Sequence, residues 1–330
     1  MLEPMTSCAD PTVLPVLSVI VPAPGRLASV ERVVASLGQQ SLAGQMELVV
    51  VAEHPNVGLP AWLTTPFGWV QVVARPVWTT MTEARVAGIL RARAPIVALC
   101  EDHCFPAPGW AEALLAAHQG PWAAVGPAFL NANPVTRISW ANLAVEYGPW
   151  LHPVTPGACH HVPGHNSSYK RSMLVAYGER LSEMLEAESI LHWDLQRRGY
   201  AVAMEPAART RHENFSRFRP SILLRFSSGR LFAASRALRW PWWRRALFAV
   251  GSAVLPFLRS WRALRDLRRV GDTRPRRGLG LVIFTLLVFD ALGEVIGYAM
   301  GAGDQSRRLS EIEHDRARFM SARDRVAARG

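Results

Sequence analysis

Short apolar runs alternate with helically spaced apolar positions over the first hundred residues. LSVIVP (17–22) is β-branched and stops at Pro22, and its length predicts a buried strand. In PGRLASVERVVASLGQQ, Val30, Val33, Val34 and Leu37 recur at helical spacing, with Gly38 near the end. MELVVVAEHPN (46–56) predicts a second strand running into a polar turn, and VQVVARP (70–76) a third. EARVAGILRARAP sets Val86, Ile89 and Leu90 on one helical face and stops at Pro95; IVALC (96–100) then predicts a fourth strand. Strands alternating with helices of this length predict parallel βαβ units and an α/β fold. In such sheets ligands bind beyond the carboxyl ends of the strands.

After residue 120 the pattern loosens. WAAVG (122–126) predicts another strand, and 131–168, rich in Pro, Gly, Asn and His, reads as an excursion that carries a site. SEMLEAESILHWDLQRRGY (182–200) predicts a helix closing at Gly199, and YAVAME (200–205) a strand. From Arg217 the composition shifts. ALFAVGSAVLPFL (246–258) is apolar but has 13 residues, too few for a hydrocarbon core of about 30 Å. An arginine-rich stretch (259–277) follows, and then GLGLVIFTLLVFDALGEVIGYAMGAG (278–303), which is long enough to span. Asp290, Gly293, Glu294, Gly297 and Gly301 share one stripe of that segment. The small residues predict a close helix contact, and the acids pairing with arginines. The tail 304–330 carries charges of both signs and reads as a solvated helix or a disordered segment.

Composition changes this picture mainly in the last third. The chain has 330 residues, is 49% hydrophobic and carries a net charge of +11. Its basic residues are nearly all arginine, a bias that fits a GC-rich genome. Eighteen arginines lie between Arg209 and Arg277, against three acids. Trp240, Trp242 and Trp243 sit among Arg239, Arg244 and Arg245, a mixture that suits a membrane interface better than nucleic acid. A nucleic-acid binder driven by the net charge is the alternative. If both apolar segments spanned, the loop 259–277 would lie outside, against the positive-inside rule. A re-entrant or interfacial hairpin is therefore preferred; a single span by 279–301, or two core helices of a second domain, are the alternatives. The four cysteines show no disulfide spacing, and the N-terminus has no signal-peptide pattern, so a reducing compartment is expected.

The candidate chemistry sits in LCEDHCFPAPGW (99–110). Glu101, Asp102 and His103 follow the fourth strand, and Glu53 ends the second. Two carboxylates and an imidazole at a strand end suit Mn²⁺ or Mg²⁺. A polar turn capping the strand is one competing reading. Another is zinc held by Cys100, His103 and Cys104 with Cys159, His160 or His161. EAES offers Glu186 and Glu188 as bases for a hydroxyl proton, or as helix N-terminal acids that favour the dipole. Of the loop histidines, His165 between Gly164 and Asn166 has the best claim to touch a substrate.

These segments resemble the family-2 glycosyltransferases of GT-A fold. The likeness rests on SVIVPAPGR, LVVVAE, EARVAGI, LCEDHCFPAPGW, PGHNSSYKRSML, EAESILHWDLQRRGY and ARTRH, in that order. It implies a Rossmann-like mixed sheet over 17–215, after an N-terminal extension (1–16) and before a membrane-associated helical region (216–303) and the charged tail (304–330). It implies sugar transfer with inversion from a nucleotide-diphospho-sugar to a hydroxyl acceptor, lipid-linked or polysaccharide, with a divalent metal. The setting implied is bacterial polysaccharide or glycolipid biosynthesis on the cytoplasmic side of the cell membrane. Carried onto this sequence, Pro22, Glu53, Arg85, Glu101 and Asp102 serve the donor, and Gly164, His165 and Asn166 the sugar or acceptor region. Asp102, His103 and His212 hold the metal, and Glu188 is the base, with Glu186 the alternative. Ala52, His103 and Glu188 depart from the family's usual acids. Those departures motivate a second expectation, an inactive membrane scaffold of the same fold.

Overall fold

The computed structural model describes residues 13–23, 27–53, 59–75, 80–271, 277–314 and 316–322. Most of the N-terminal extension, the polar turn after the second strand, part of the arginine-rich loop and the end of the tail lie outside the described residues.

Along the chain, β1 (Leu17–Ala23) leads to α1 (Glu31–Gly38), β2 (Met46–Ala52), α2 (Ala61–Thr64), β3 (Trp69–Ala74), α3 (Met81–Arg91) and β4 (Ile96–Leu99). The alternation read from the sequence is therefore present. Thr80 caps α3 by accepting the Glu83 N–H at 3.1 Å. Next come β5 (Cys104–Pro106), α4 (Trp110–Ala117), β6 (Trp122–Asn131), α5 (Arg137–Tyr147), β7 (Gly157–Cys159) and β8 (Ser168–Lys170). They are followed by α6 (Arg171–Val175), α7 (Leu181–Glu186), α8 (Glu188–Arg197) and β9 (Ala201–His212). The last third is helical: α9 (Phe218–Arg236), α10 (Trp242–Gly251), α11 (Leu255–Arg268), α12 (Leu279–Met300) and α13 (Gln305–His314).

The strands form one mixed sheet in the order β3-β2-β1-β4-β8-β6-β9-β5, with β7 added on β9. β3, β2, β1 and β4 are parallel, whereas β8 runs antiparallel to both β4 and β6. The register sets Ala23 beside Ala52 and Ile20 beside Leu99, so the chain leaves β1, β2 and β4 at a common edge. Leu17, Ile20, Leu48 and Leu99 are almost wholly buried beneath that edge. Glu47 on β2 is also buried. It accepts from Arg93 Nε at 3.0 Å, Gln71 Nε2 at 2.7 Å and the Arg93 N–H at 2.8 Å, which satisfies a charge that burial alone would penalise.

Two elements differ from expectation. The single helix predicted over 182–200 is broken at Ala187, whose backbone is extended (φ −140°, ψ 100°). The strand predicted over 200–205 continues to His212, because its second half lies in the sheet and alternates buried with exposed side chains.

The chain divides into two compact units, Met1–Ala128 with Val154–Arg211, and Phe129–Pro153 with His212–Gly330. In the second, α9 and α12 cross at very short range. A Cβ added to Gly229 would lie 2.1 Å from the Asp290 carbonyl oxygen, and one added to Gly293 2.1 Å from that of Phe226. On the same stripe Arg259 binds Asp290 at 2.5 Å and Glu294 at 2.6 Å. Both the close contact and the acid–arginine pairing expected from the sequence are thus present. The apolar run 246–258 is not a separate segment: it is shared by α10, a 3-10 turn (Ser252–Val254) and α11, whose junctions keep right-handed helical backbone. Among the described residues, α12 is the one helix long and apolar enough to cross a membrane. In the tail, α13 carries the pairs Arg308–Asp304 and Arg307–Glu311 one turn apart, each at 2.9 Å.

Candidate metal and donor site

β4 ends at Leu99, and the chain turns tightly, the Cys104 N–H donating to the Glu101 carbonyl at 3.0 Å. This turn displays Glu101, Asp102 and His103 together at the sheet edge. Glu101 is buried and held at both ends by Asn166: its N–H donates to Asn166 Oδ1 at 3.0 Å, and Asn166 Nδ2 donates to its Oε2 at 2.7 Å. Its other carboxylate oxygen, Oε1, lies 3.4 Å from the buried Arg85 guanidinium. The Glu101 carboxylate is thus fixed before any ligand arrives.

His103 lies with Nε2 3.4 Å from Glu101 Oε2, and its Nδ1 is 2.8 Å from Asp102 Oδ1. An ionised carboxylate can only accept, so the Nδ1 proton sits between the ring and Asp102, and in the neutral ring Nε2 carries the lone pair. A carboxylate oxygen and an imidazole nitrogen therefore converge on one point, while Asp102 orients the ring. The family resemblance implies a metal role for Asp102; one of its oxygens is engaged by His103 here.

On the opposite side of Glu101, His165 Nδ1 lies 3.5 Å from Oε1, and His165 Nε2 contacts Glu188 Oε1. One imidazole thus stands between two carboxylates. The break at Ala187 makes this possible, because it starts a new helix at Glu188 and turns that side chain toward the loop of Gly164 and His165. At the first position of α8 the carboxylate also meets the positive end of the helix dipole. Glu186 closes α7 on the far side of the break.

His212 ends β9 and belongs to the second unit. β9 is tied to the segment following β5 by the Ala107 N–H, which donates to the Arg209 carbonyl at 2.8 Å. His212 Nδ1 is 2.7 Å from Asn214 Oδ1. The Asn214 amide group donates to Asn131 Oδ1 at 3.1 Å and to the His212 carbonyl at 3.0 Å, so its oxygen faces the ring. The His212 Nδ1 proton is fixed in turn, and Nε2 is the donor atom, as in His103. Tyr147 packs on the imidazole at 4.6 Å between centroids. Asn214 is absent from the sequence expectations; its only local signal is an asparagine two residues after the histidine.

Pro22 is the penultimate residue of β1 and Glu53 directly follows β2, both at the shared edge. The cysteines expected as zinc ligands are engaged elsewhere: Cys100 Sγ faces the Glu101 and Cys104 carbonyls at 3.7 and 3.6 Å. Burial pushes the Cys100 thiol far above its usual range and that of Cys159 up to about 11, so neither is a ready thiolate. Cys159 instead donates to the His161 carbonyl.

The family described as glycosyl transferase family 2 matches residues 18–178. No curated protein shows significant sequence similarity to the chain. Among solved structures, the mannosyltransferase PcManGT from Pyrobaculum calidifontis, in complex with GDP-Man and Mn²⁺, is similar with a TM-score of 0.50 and 15% identity, covering 89% of each chain. GalNAc-T7 with UDP, GalNAc and Mn²⁺ is similar with a TM-score of 0.47 and 15% identity over 61% of this chain, which spans 43% of the length of that one. The mixed α/β sheet is that of the GT-A glycosyltransferases.

Proposed function

Since residues 18–178 match the family described as glycosyl transferase family 2, we propose that the chain moves a sugar from a nucleotide-diphospho-sugar to a hydroxyl acceptor, with inversion. The observation that carries this reading is the imidazole of His165 standing between Glu101 and Glu188. It sets a donor-side carboxylate and a separate base one ring apart, as displacement at a single carbon requires.

Glu101 and His103 would hold a divalent cation, and a carboxylate with an imidazole suits Mn²⁺ better than Mg²⁺. When bound, the cation would neutralise the charge that builds on the diphosphate as its bond to the sugar breaks. Asp102 keeps the His103 proton on Nδ1, and Asn166 keeps Glu101 in place. Arg85 adds positive charge on the donor side, and Pro22 and Glu53 line the nucleoside end. Glu188 takes the acceptor's proton as its oxygen attacks the sugar carbon from the face opposite the leaving group. His165 orients Glu188, and Gly164 leaves room for it.

The catalytic region would be 17–215, with 216–303 associated with the cytoplasmic face of the cell membrane and the acceptor a lipid-linked or polysaccharide hydroxyl. That setting suits synthesis of a bacterial polysaccharide or glycolipid. A second reading, an inactive scaffold, is favoured by Ala52, a buried methyl where the resemblance implies an acid for the nucleoside. Calorimetry with UDP, GDP and their sugars, with and without Mn²⁺, separates the two. Metal-dependent binding followed by release of nucleoside diphosphate supports transfer; no metal-dependent binding supports the scaffold.

A further inference from the structure

α10, the 3-10 turn and α11 form one nearly continuous helical rod of 27 residues, about 40 Å long. Trp243, Leu247, Val250, Val254, Phe257 and Trp261 recur along it at steps of four and three, a single helical stripe, and every one is exposed. Val250 is 76% exposed and Phe257 66%. A contiguous apolar strip of this kind marks a contact surface.

The charge around the strip says what covers it. Arg239 and Arg244 are exposed at one end, and Arg262, Arg265, Arg268 and Arg269 at the other. Between Arg239 and Gly271 the one acid is Asp266, which is buried. A second copy of the chain would bring the same positive charge to the contact. A nucleic acid would answer the arginines but leave the apolar strip wet. An anionic bilayer surface answers both, with tryptophan at headgroup depth and arginine on phosphate.

The rod's orientation follows from its other face. That face is fastened to α12 through Arg259 with Asp290 and Glu294, and Ser252 with Glu294 at 3.4 Å. Arg245 and Arg259 are separated by 13 uncharged residues, a length of about 20 Å against a hydrocarbon core of about 30 Å. We infer that the α10–α11 rod is an in-plane membrane anchor that seats its Trp243–Trp261 stripe in the interface of an anionic bilayer. This deepens the membrane association proposed above and is independent of the transfer reaction.

Flotation of the full purified chain with preformed vesicles tests it. Binding is expected to phosphatidylcholine vesicles containing phosphatidylglycerol, and at least tenfold less to phosphatidylcholine alone. Replacing Leu247, Val254 and Trp261 together by glutamate is expected to lower partitioning at least tenfold. Should that variant unfold by circular dichroism, Arg262→Glu with Arg268→Glu reads the same surface through its charge and is expected to lose anionic selectivity. Equal flotation of a folded triple variant and the parent overturns the proposal, as do charge variants that keep anionic selectivity. So does a parent that fails to bind preformed anionic vesicles, or that binds duplex DNA with an affinity the apolar substitutions leave unchanged.

Discussion

A methyl group on Gly164 would lie 2.2 Å from Cβ of Glu188. Real Cβ contacts never come so close, and the atom opposed is near the root of the Glu188 side chain, so no rotation of the carboxylate relieves it. Gly164 therefore determines where the candidate base stands. Gly164→Ala is expected to lower kcat at least tenfold, more than it weakens nucleotide binding, which this turn reaches only through Asn166 and His165 on Glu101. Turnover and calorimetry on the same preparation check this. Unchanged kcat would show that Glu188 is not the base.

Asn166 and Asp102 act on the cation through other residues. Loss of such a supporting group weakens metal affinity by about 10–100-fold. Asn166→Ala is expected to fall in that range, because Glu101 loses both the partner of its N–H and one anchor of its carboxylate. Asp102→Asn is expected to do the same by allowing His103 to place its proton on Nε2. His103→Ala should cost more than either. Mn²⁺ titration followed by electron paramagnetic resonance measures all three, and chelation of the parent should abolish turnover. Equal Mn²⁺ affinity in His103→Ala and the parent would remove the metal assignment.

The parallel half of the sheet was legible because its signal is local. Each strand is a short β-branched run and each helix repeats its apolar positions at 3.6 residues, so β1 to β4 needed no tertiary information. The acids at the end of β4 were legible for the same reason. What escaped the sequence depends on contacts between distant residues. Asn166 is 65 positions from Glu101, yet it binds that residue with both ends of its amide. The break at Ala187 has no glycine or proline to mark it; helix propensity favours continuity there, and packing of the Gly164 loop on Glu188 wins. The rod of α10 and α11 was hidden because composition alone showed an apolar run between arginine-rich stretches. Only the structure assigns one set to the exposed stripe and others, such as Arg259, to α12.

The crossing of α9 and α12 leaves no room for a side chain. A Cβ on Gly293 would meet the Phe226 carbonyl oxygen at 2.1 Å and the Arg230 nitrogen at 2.9 Å, both backbone atoms that cannot turn aside. Overpacking of this kind costs about 1–3 kcal/mol or more. Gly293→Val should therefore lower the melting temperature by several degrees or prevent folding of the second unit. Leu292→Ala, one position away on the exposed side, should change it little. Differential scanning fluorimetry compares them, and equal melting temperatures would show that the close crossing contributes nothing.

Two histidines outside the candidate site predict acid sensitivity. Burial, reinforced by the Lys170 charge, lowers His118 to about 4, and burial, with a smaller contribution from His161, lowers His192 to about 3. Each is neutral in the folded chain, with Nε2 against Ser168 Oγ at 2.9 Å and against the Tyr169 hydroxyl at 3.0 Å. Unfolding returns both to an ordinary value near 6.5, so between about 4 and 6.5 the unfolded chain binds protons that the folded chain refuses. Stability from these groups is complete above about pH 7 and falls with acid, by up to about 1.4 kcal/mol per pH unit for each histidine. Urea midpoints measured from pH 7 down to 5 should decline, and His118→Gln with His192→Gln should flatten the decline even if it lowers the midpoint at pH 7. A parent midpoint that does not move across this range, or a double variant with the parent's slope, would place the acid sensitivity elsewhere.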